Sequence, residues 1–270
     1  MPSTDDKRRA FQQMHEGGCF VMPNPWDVGS AKYLQHLGFK ALATTSAGFA
    51  FSRGLADGAV TRGAVLAHIA ELALATDVPL NADFENGFAD EPDGVAESVR
   101  LCMATGVAGL SIEDFPQSGG ALYPFELAVA RVKAARAAID SAGGGIVLTA
   151  RSEGILRGVA DLEETIRRLR AFAEAGADCL YAPGIRKDEE IVAIVKAVEP
   201  KPVNVLVMGP AHLSVPQLGA LGVRRISLGS ALANAAWGGL MRAAKEIAEA
   251  GTFKSLAANA SGSEIVKSFK

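Results

Sequence analysis

The chain is expected to adopt an α/β fold, a (β/α)₈ TIM barrel, and three observations carry that expectation. Apolar runs of strand length recur eight times along the 270 residues. Each run is short and lacks in–out alternation, as parallel strands covered on both faces require. Amphipathic stretches of helix length separate most of the runs. Phrases such as LGFKALA, TGVAGLS, AGADCLY and LGVRRIS end a helix at glycine just before the next strand. An open doubly wound sheet is the runner-up, weakened because no GxGxxG follows the first strand.

The strands are expected at Cys19–Met22, Ala41–Thr45, Pro79–Asp83, Gly109–Glu113, Ile146–Ala150, Cys179–Ala182, Pro202–Leu206 and Arg225–Leu228. Val28–Leu37 sets Ala31, Leu34 and Leu37 on one helical face and stops at Gly38. Arg62–Ala75 runs without a breaker. Glu91–Thr105 carries Val95, Val99 and Met103 and ends at Gly106. Asp161–Ala175 starts on an Asp cap, carries Leu162, Ile166, Leu169 and Phe172, and ends at Gly176. Lys187–Val198 and Ser214–Leu221 follow the same rule. No linker rich in Pro, Ser or charge interrupts the pattern, so 1–270 reads as one barrel domain. Residues 253–270 form a C-terminal tail, helix-like at first and then polar, which either packs on a neighbour or frays.

Composition excludes several classes of function. The net charge is −3, so no basic excess is present for phosphate contacts and nucleic acid is not an expected partner. Cys19, Cys102 and Cys179 lie far apart and form no CxxC pair, which argues against disulfides or a zinc knuckle. The N-terminal MPSTDDKRRAFQQMHEGG has no apolar h-region, and no apolar run is long enough for a membrane span. A cytoplasmic enzyme is expected. His15, His36, His68 and His212 pair with no strand-end nucleophile, and no G-x-S-x-G elbow is present, so a Ser–His–Asp hydrolase is disfavoured.

Barrel chemistry sits at the C-terminal ends of the strands. Those ends carry Thr44-Thr45-Ser46-Ala47-Gly48, then Asp83-Phe84-Glu85, then Glu113-Asp114, then Arg151-Ser152-Glu153, with Asn204 on the seventh strand. Asp83, Glu85, Glu113 and Asp114 at one mouth are costly to bury unless a cation neutralises them. Oxygen ligands without His or Cys suit Mg²⁺ or Mn²⁺. Arg151 suits a substrate carboxylate or a developing oxyanion. Backbone N–H groups of Ser46 and Ala47, on a glycine-containing loop, are placed to bind an anion.

The ordered set NPWDVGSAKYLQHLGFKAL, TTSAG, ADFENGF, SIEDF, TARSE, GADCLYAPG and VNVL resembles the isocitrate lyase/phosphoenolpyruvate mutase superfamily over about Phe20 to Ala236, in particular members labelled carboxyvinyl-carboxyphosphonate phosphorylmutase-like. The resemblance implies a barrel that swaps its last helix between subunits, a homo-oligomer built as a dimer of dimers, and Mg²⁺ with a small 2-oxo acid substrate. Asp83 then resembles the direct metal ligand, and Asp57, Glu85 and Glu113 the water-mediated shell. Thr45, Ser46, Ala47, Arg151 and Asn204 fall on the substrate side, with Arg151, Glu113 and Asp57 the expected catalytic set. Two departures narrow the reaction. FPQSGGALYPFE replaces the Lys-Lys-Cys-Gly-His loop whose Cys moves the proton in lyases of this group, and Gly184 replaces the acidic residue of methylisocitrate lyases. The expectation is lyase chemistry, C–C cleavage or decarboxylation, with Tyr123 expected as a packed aromatic and a proton donor only as the second reading. The alternatives are a phosphonate or acyl mutase or hydrolase, and a non-catalytic barrel that binds 2-oxo acids.

Overall fold

A computed structural model of the chain describes residues 2–269; Met1 and Lys270, the ends of the expected domain, lie outside it. In chain order the elements are α1 (Thr4–Met14), β1 (Phe20–Met22), α2 (Val28–His36), β2 (Leu42–Ala43), α3 (Ser46–Ser52), α4 (Arg62–Ala75), β3 (Leu80–Asp83), α5 (Pro92–Met103), β4 (Gly109–Glu113) and α6 (Phe125–Ser141). There follow β5 (Val147–Arg151), α7 (Gly154–Arg157), α8 (Leu162–Glu174), β6 (Cys179–Tyr181), α9 (Asp188–Val198), β7 (Val203–Leu206), α10 (Val215–Ala220), β8 (Arg225–Ser227), α11 (Ala231–Ala250) and α12 (Gly262–Lys267).

The strands pair in parallel in the order β1-β8-β7-β6-β5-β4-β3-β2, a nearly closed TIM barrel. No ladder joins β1 to β2. The Ala43 N–H reaches across that seam to the Pro23 carbonyl (3.0 Å). The Asn24 side chain adds a stitch: its Nδ2 donates to the Thr44 carbonyl (2.8 Å), and its Oδ1 accepts from Leu228 and Gly229 N–H at the end of β8 (2.8 and 3.0 Å). The main core lies between strands and helices, with Leu42, Leu80, Leu110, Leu148, Leu180, Val203 and Ile226 buried against the helix layer.

The N-terminal end of the barrel is closed by α1. Ser3 and Asp6 form a capping box that starts this helix. Its Phe11 is fully buried with Met22, Ala43, Ala108, Val147 and Cys179 in a second apolar cluster. Arg8 donates to the Val107 and Met103 carbonyls (3.1 and 3.0 Å). A Cβ on Gly109 would stand 2.6 Å from the Phe11 ring and 3.0 Å from the Val147 carbonyl oxygen. Gly109→Ala is therefore expected to cost about 1–3 kcal/mol through overpacking. A melting temperature equal to the parent's would show that α1 yields at no cost.

α1, α3, α6, α7 and α11 were not among the expected helices. Ser46 and Ala47 open the short helix α3 rather than sitting on a loop, because the Thr45 side chain caps it by accepting from Gly48 N–H (3.2 Å). α11 runs 20 residues, of which only Ala233 is buried; Trp237, Leu240, Met241 and Ile247 are exposed. The tail after it forms a short 3₁₀ turn, Lys254–Ala258, and then α12, with Phe253, Leu256, Ile265 and Val266 exposed. No helix among the described residues is long and apolar enough to cross a membrane.

Candidate active site

A cavity of about 380 Å³ opens at the C-terminal ends of the strands. Its wall includes Thr45, Ser46, Ala47, Asp57, Asp83, Glu85, Glu113, Arg151 and Asn204, so the expected metal-side and substrate-side residues reach one space, Asp114 and Tyr123 excepted. Asp83 ends β3. Its backbone N–H donates to Thr44 Oγ1 (2.8 Å), which fixes the strand end. Its carboxylate accepts from Arg151 on one oxygen (2.8 Å) and from the Ser46 N–H on the other (3.0 Å).

Glu85 follows in the left-handed backbone region at φ 47°, which is unfavourable for a residue with a Cβ and turns its side chain back into the mouth. It accepts from Gln117 Nε2 (2.6 Å), a residue of the loop after β4. Burial pushes its carboxyl up to about 7; Gln117 opposes the rise, and Asp83 and Asp57 add to it. Burial likewise holds Glu113, at the end of β4, well above the usual carboxylate range. Asp57 belongs to the exposed turn between α3 and α4, yet its carboxylate lines the cavity. Loss of water there, with Asp83 nearby, raises its pKa.

Arg151 is engaged on every nitrogen. Nε donates to Glu153 Oε1 (3.0 Å) and one terminal nitrogen to Asp83; the other lies 3.2 Å from Glu113 and 2.9 Å from Glu153. Against the cost of burial, those three carboxylates hold its pKa well above the ordinary value. On the cavity floor, Asn204 Oδ1 accepts from Arg225 Nε (2.9 Å), so its Nδ2 faces Ser227 Oγ (2.9 Å). Arg225 also donates to Thr149 Oγ1 (2.9 Å) and lies 3.3 Å from His15 Nε2. Burial, then the charge of Arg225, brings His15 down to about 3 and keeps this ring neutral.

Two candidates lie outside the cavity, Asp114 from a strand end and Tyr123 from the loop after β4. Asp114 is turned away from the cavity. It accepts from Ser152 Oγ (3.2 Å), Glu153 N–H (2.8 Å) and Arg168 (3.2 Å), and ties the barrel to α8. Tyr123 is buried outside the cavity, donates to Asp90, accepts from Asn86 Nδ2 (2.9 Å) and stacks under Arg131 at 4.0 Å. Its hydroxyl is raised to about 12, by burial first, and is held by the loop after Glu85. Glu153, Gln117, Arg157, Tyr181 and Arg225 line the cavity without having been assigned from sequence. The signal for Glu153 was its place two residues beyond Arg151, on the same face of an extended chain.

Asp83, Asp57, Glu85 and Glu113 offer hard oxygen donors around one space. No three acidic, imidazole or thiolate groups among the described residues converge tightly enough to be a complete direct ligand set. That donor set fits a cation that keeps several waters.

Residues 11–248 match the phosphoenolpyruvate phosphomutase family. An uncharacterised protein of Mycobacterium tuberculosis is 37% identical over 218 residues, 80% of each chain. The oxaloacetate decarboxylase of Paraburkholderia xenovorans is 32% identical over 250 residues, 84% of this chain and 76% of its own. A solved structure from Burkholderia cenocepacia J2315, provisionally named a lyase/mutase, aligns with a TM-score of 0.93 at 45% identity, over 98% of this chain and 96% of that one.

Proposed function

We propose, since this chain belongs to the phosphoenolpyruvate phosphomutase family, that it is a Mg²⁺-dependent lyase that decarboxylates or cleaves a small 2-oxo acid. The observation that carries the reading is the convergence of Asp83, Asp57, Glu85, Glu113 and Arg151 on one cavity of about 380 Å³. Asp83 is the direct metal ligand in this reading; Asp57, Glu85 and Glu113 hold metal-bound water. When bound, Mg²⁺ (or Mn²⁺) supplies a Lewis acid for the carboxylate and oxo oxygens of the substrate.

The chain's own groups then divide the work. The Ser46 and Ala47 N–H groups at the start of α3 hold the substrate's carboxylate end, the Ser46 N–H giving up its bond to Asp83 (3.0 Å) to do so, with Thr45 fixing their direction as the cap. Arg151, whose nitrogens face Asp83, Glu113 and Glu153, offsets by its charge rather than by a hydrogen bond the negative charge that develops on the oxo oxygen as the neighbouring bond breaks. Asn204 presents its amide Nδ2 from the floor. The loop from Phe115 to Tyr123 brings Phe115, Pro116 and Gln117 over the mouth, where they exclude water.

Decarboxylation asks for fewer acid–base groups than cleavage of a tertiary alcohol, and this loop has no Cys, His or Lys. An acidic side chain at position 184 is also ruled out sterically. Gly184 has φ 96°, and a Cβ there would stand 2.9 Å from Leu156 N and 3.0 Å from its Cα. Mg²⁺-dependent release of pyruvate from a panel of 2-oxo diacids is the expected result. Turnover of phosphonates instead would move the chain to the mutases or hydrolases of the group. Tight binding of 2-oxo acids without turnover would make it a binding protein.

The assembly belongs to the same reading. α11 carries Trp237, Leu240 and Met241 into solvent, with only Ala233 buried. Burying such side chains contributes roughly 1.5–3 kcal/mol each. A second copy that accepts this helix makes the protein a swapped dimer, and two such dimers a tetramer. Light scattering after gel filtration is expected to show a multiple of the 28.0 kDa chain, and a monomer at micromolar concentration would sink the idea.

A further inference from the structure

Three guanidinium groups border the cavity, and they differ in what they have left to give. Arg151 has carboxylates on all its nitrogens. Arg225 is closed in below by Asn204, Thr149 and His15. The Arg157 side chain has no hydrogen bond among the described residues. The nearest acidic oxygen, Glu153 Oε2, lies 3.7 Å from its Nε, beyond hydrogen-bonding range. That oxygen is itself buried without a partner, on a side chain 0% exposed.

The position of Arg157 is built in. It is the last residue of α7, which ends at Gly158 in the left-handed region at φ 68°. Gly154 at the start of α7 is pressed on Ala160, where a Cβ would approach to 2.4 Å, and Leu156 is pressed on Gly184. The backbone that carries Arg157 therefore has little room to move. Its guanidinium lies over the Phe115 ring at 4.6 Å. Leu156, Leu206 and Met208 form an apolar stretch of the same wall.

We propose that Arg157 is the subsite for a second carboxylate, and that the substrate is a 2-oxo diacid lying between the Asp83 end of the cavity and this guanidinium. The inference rests on the functional reading above and extends it to the far end of the ligand. An unengaged guanidinium offers a planar fork of donors that matches a carboxylate. Glu153 Oε2 orients that fork electrostatically without consuming it. The apolar wall suits the carbon chain between the two acidic ends.

The test uses the full chain with Mg²⁺ and two probes in calorimetry. Oxalate reaches only the Asp83 end, whereas 3,3-difluorooxaloacetate carries the second carboxylate. Arg157→Gln is expected to weaken the diacid about 10–100-fold, the size of a lost charge-assisted hydrogen bond, and to leave oxalate within about twofold. Arg157→Lys, which keeps the charge and loses the fork, is expected to fall between. Equal loss for both probes would make Arg157 a latch on Phe115 and overturn the proposal, as would no loss for either. Wild-type protein that binds neither probe would overturn the 2-oxo acid reading itself. Wild-type protein that binds oxalate, with a diacid affinity indifferent to Arg157, would overturn the subsite alone.

Discussion

Asp83→Asn is expected to lower Mg²⁺-dependent turnover by about 10³-fold or more, the scale on which preorganised charge acts in a cavity of this kind. The substitution keeps the shape of the side chain and removes the charge. It also sets two donors against each other. One oxygen of Asp83 now accepts from the Ser46 N–H (3.0 Å), and an amide with its oxygen toward Arg151 would present an NH₂ there instead. The binding of Mg²⁺, followed by calorimetry, is expected to weaken in parallel with turnover. An unchanged metal affinity beside lost turnover would mean that Asp83 acts only by holding Ser46 and Arg151. No change in either would remove it from the site.

Arg131→Met is expected to be the most damaging single change outside the cavity. Arg131 is 1% exposed. Its terminal nitrogens donate to the backbone carbonyls of Asn86, Ala89 and Asp90, and its guanidinium covers the Tyr123 ring. These carbonyls belong to the turn after Glu85, in which Glu85 and Phe88 both hold positive φ. Removing the donor leaves the buried Asn86 carbonyl unpaired at about 1–3 kcal/mol, and the part-buried Ala89 and Asp90 carbonyls lose less, so a total near 3 kcal/mol is expected. Thermal unfolding measures that cost. Metal affinity should fall with it, because Glu85 loses the turn that aims it. A variant that melts within a degree of the parent would show that the turn holds itself.

Much of the barrel was readable before any coordinates, and the reason is geometric. Strands covered on both faces need unbroken apolar runs, and all eight runs became strands with ends shifted by at most one residue, except the second, which loses two at its end and is trimmed to Leu42–Ala43. The helices begun near Val28, Glu91 and Asp161 announced themselves by apolar spacing and by glycine stops, and Arg62–Ala75 and Lys187–Val198 lacked the glycine, while α6 (Phe125–Ser141) was not expected at all. α3 was hidden because SAGFAFS is too short to show a helical period, and only the Thr45 cap marks its start. α7 was hidden for the same reason.

At the site, strand ends identified the right neighbourhood and misjudged direction once. Glu113 and Asp114 are adjacent, and adjacent residues on a strand point to opposite faces. Glu113 therefore enters the cavity, while Asp114 meets Arg168 on α8. The same alternation separates Arg224 from Arg225 and would have pointed Arg225 inward. No local pattern reports on Arg157, whose importance comes from what it fails to contact across α7, Glu153 and Phe115.

The seam between β1 and β2 has a consequence for which variants can persist at position 24. Asn24 is donor to one strand end and acceptor for two N–H groups of another. Aspartate matches its size but has no proton for the Thr44 carbonyl. Leucine matches its bulk and satisfies none of the three partners. Glutamine has the right atoms one methylene too far out. Most positions in a barrel wall tolerate exchange among similar side chains, but this one demands both halves of a primary amide at one fixed reach. Among homologous chains that leave the same seam unladdered, this codon should drift least.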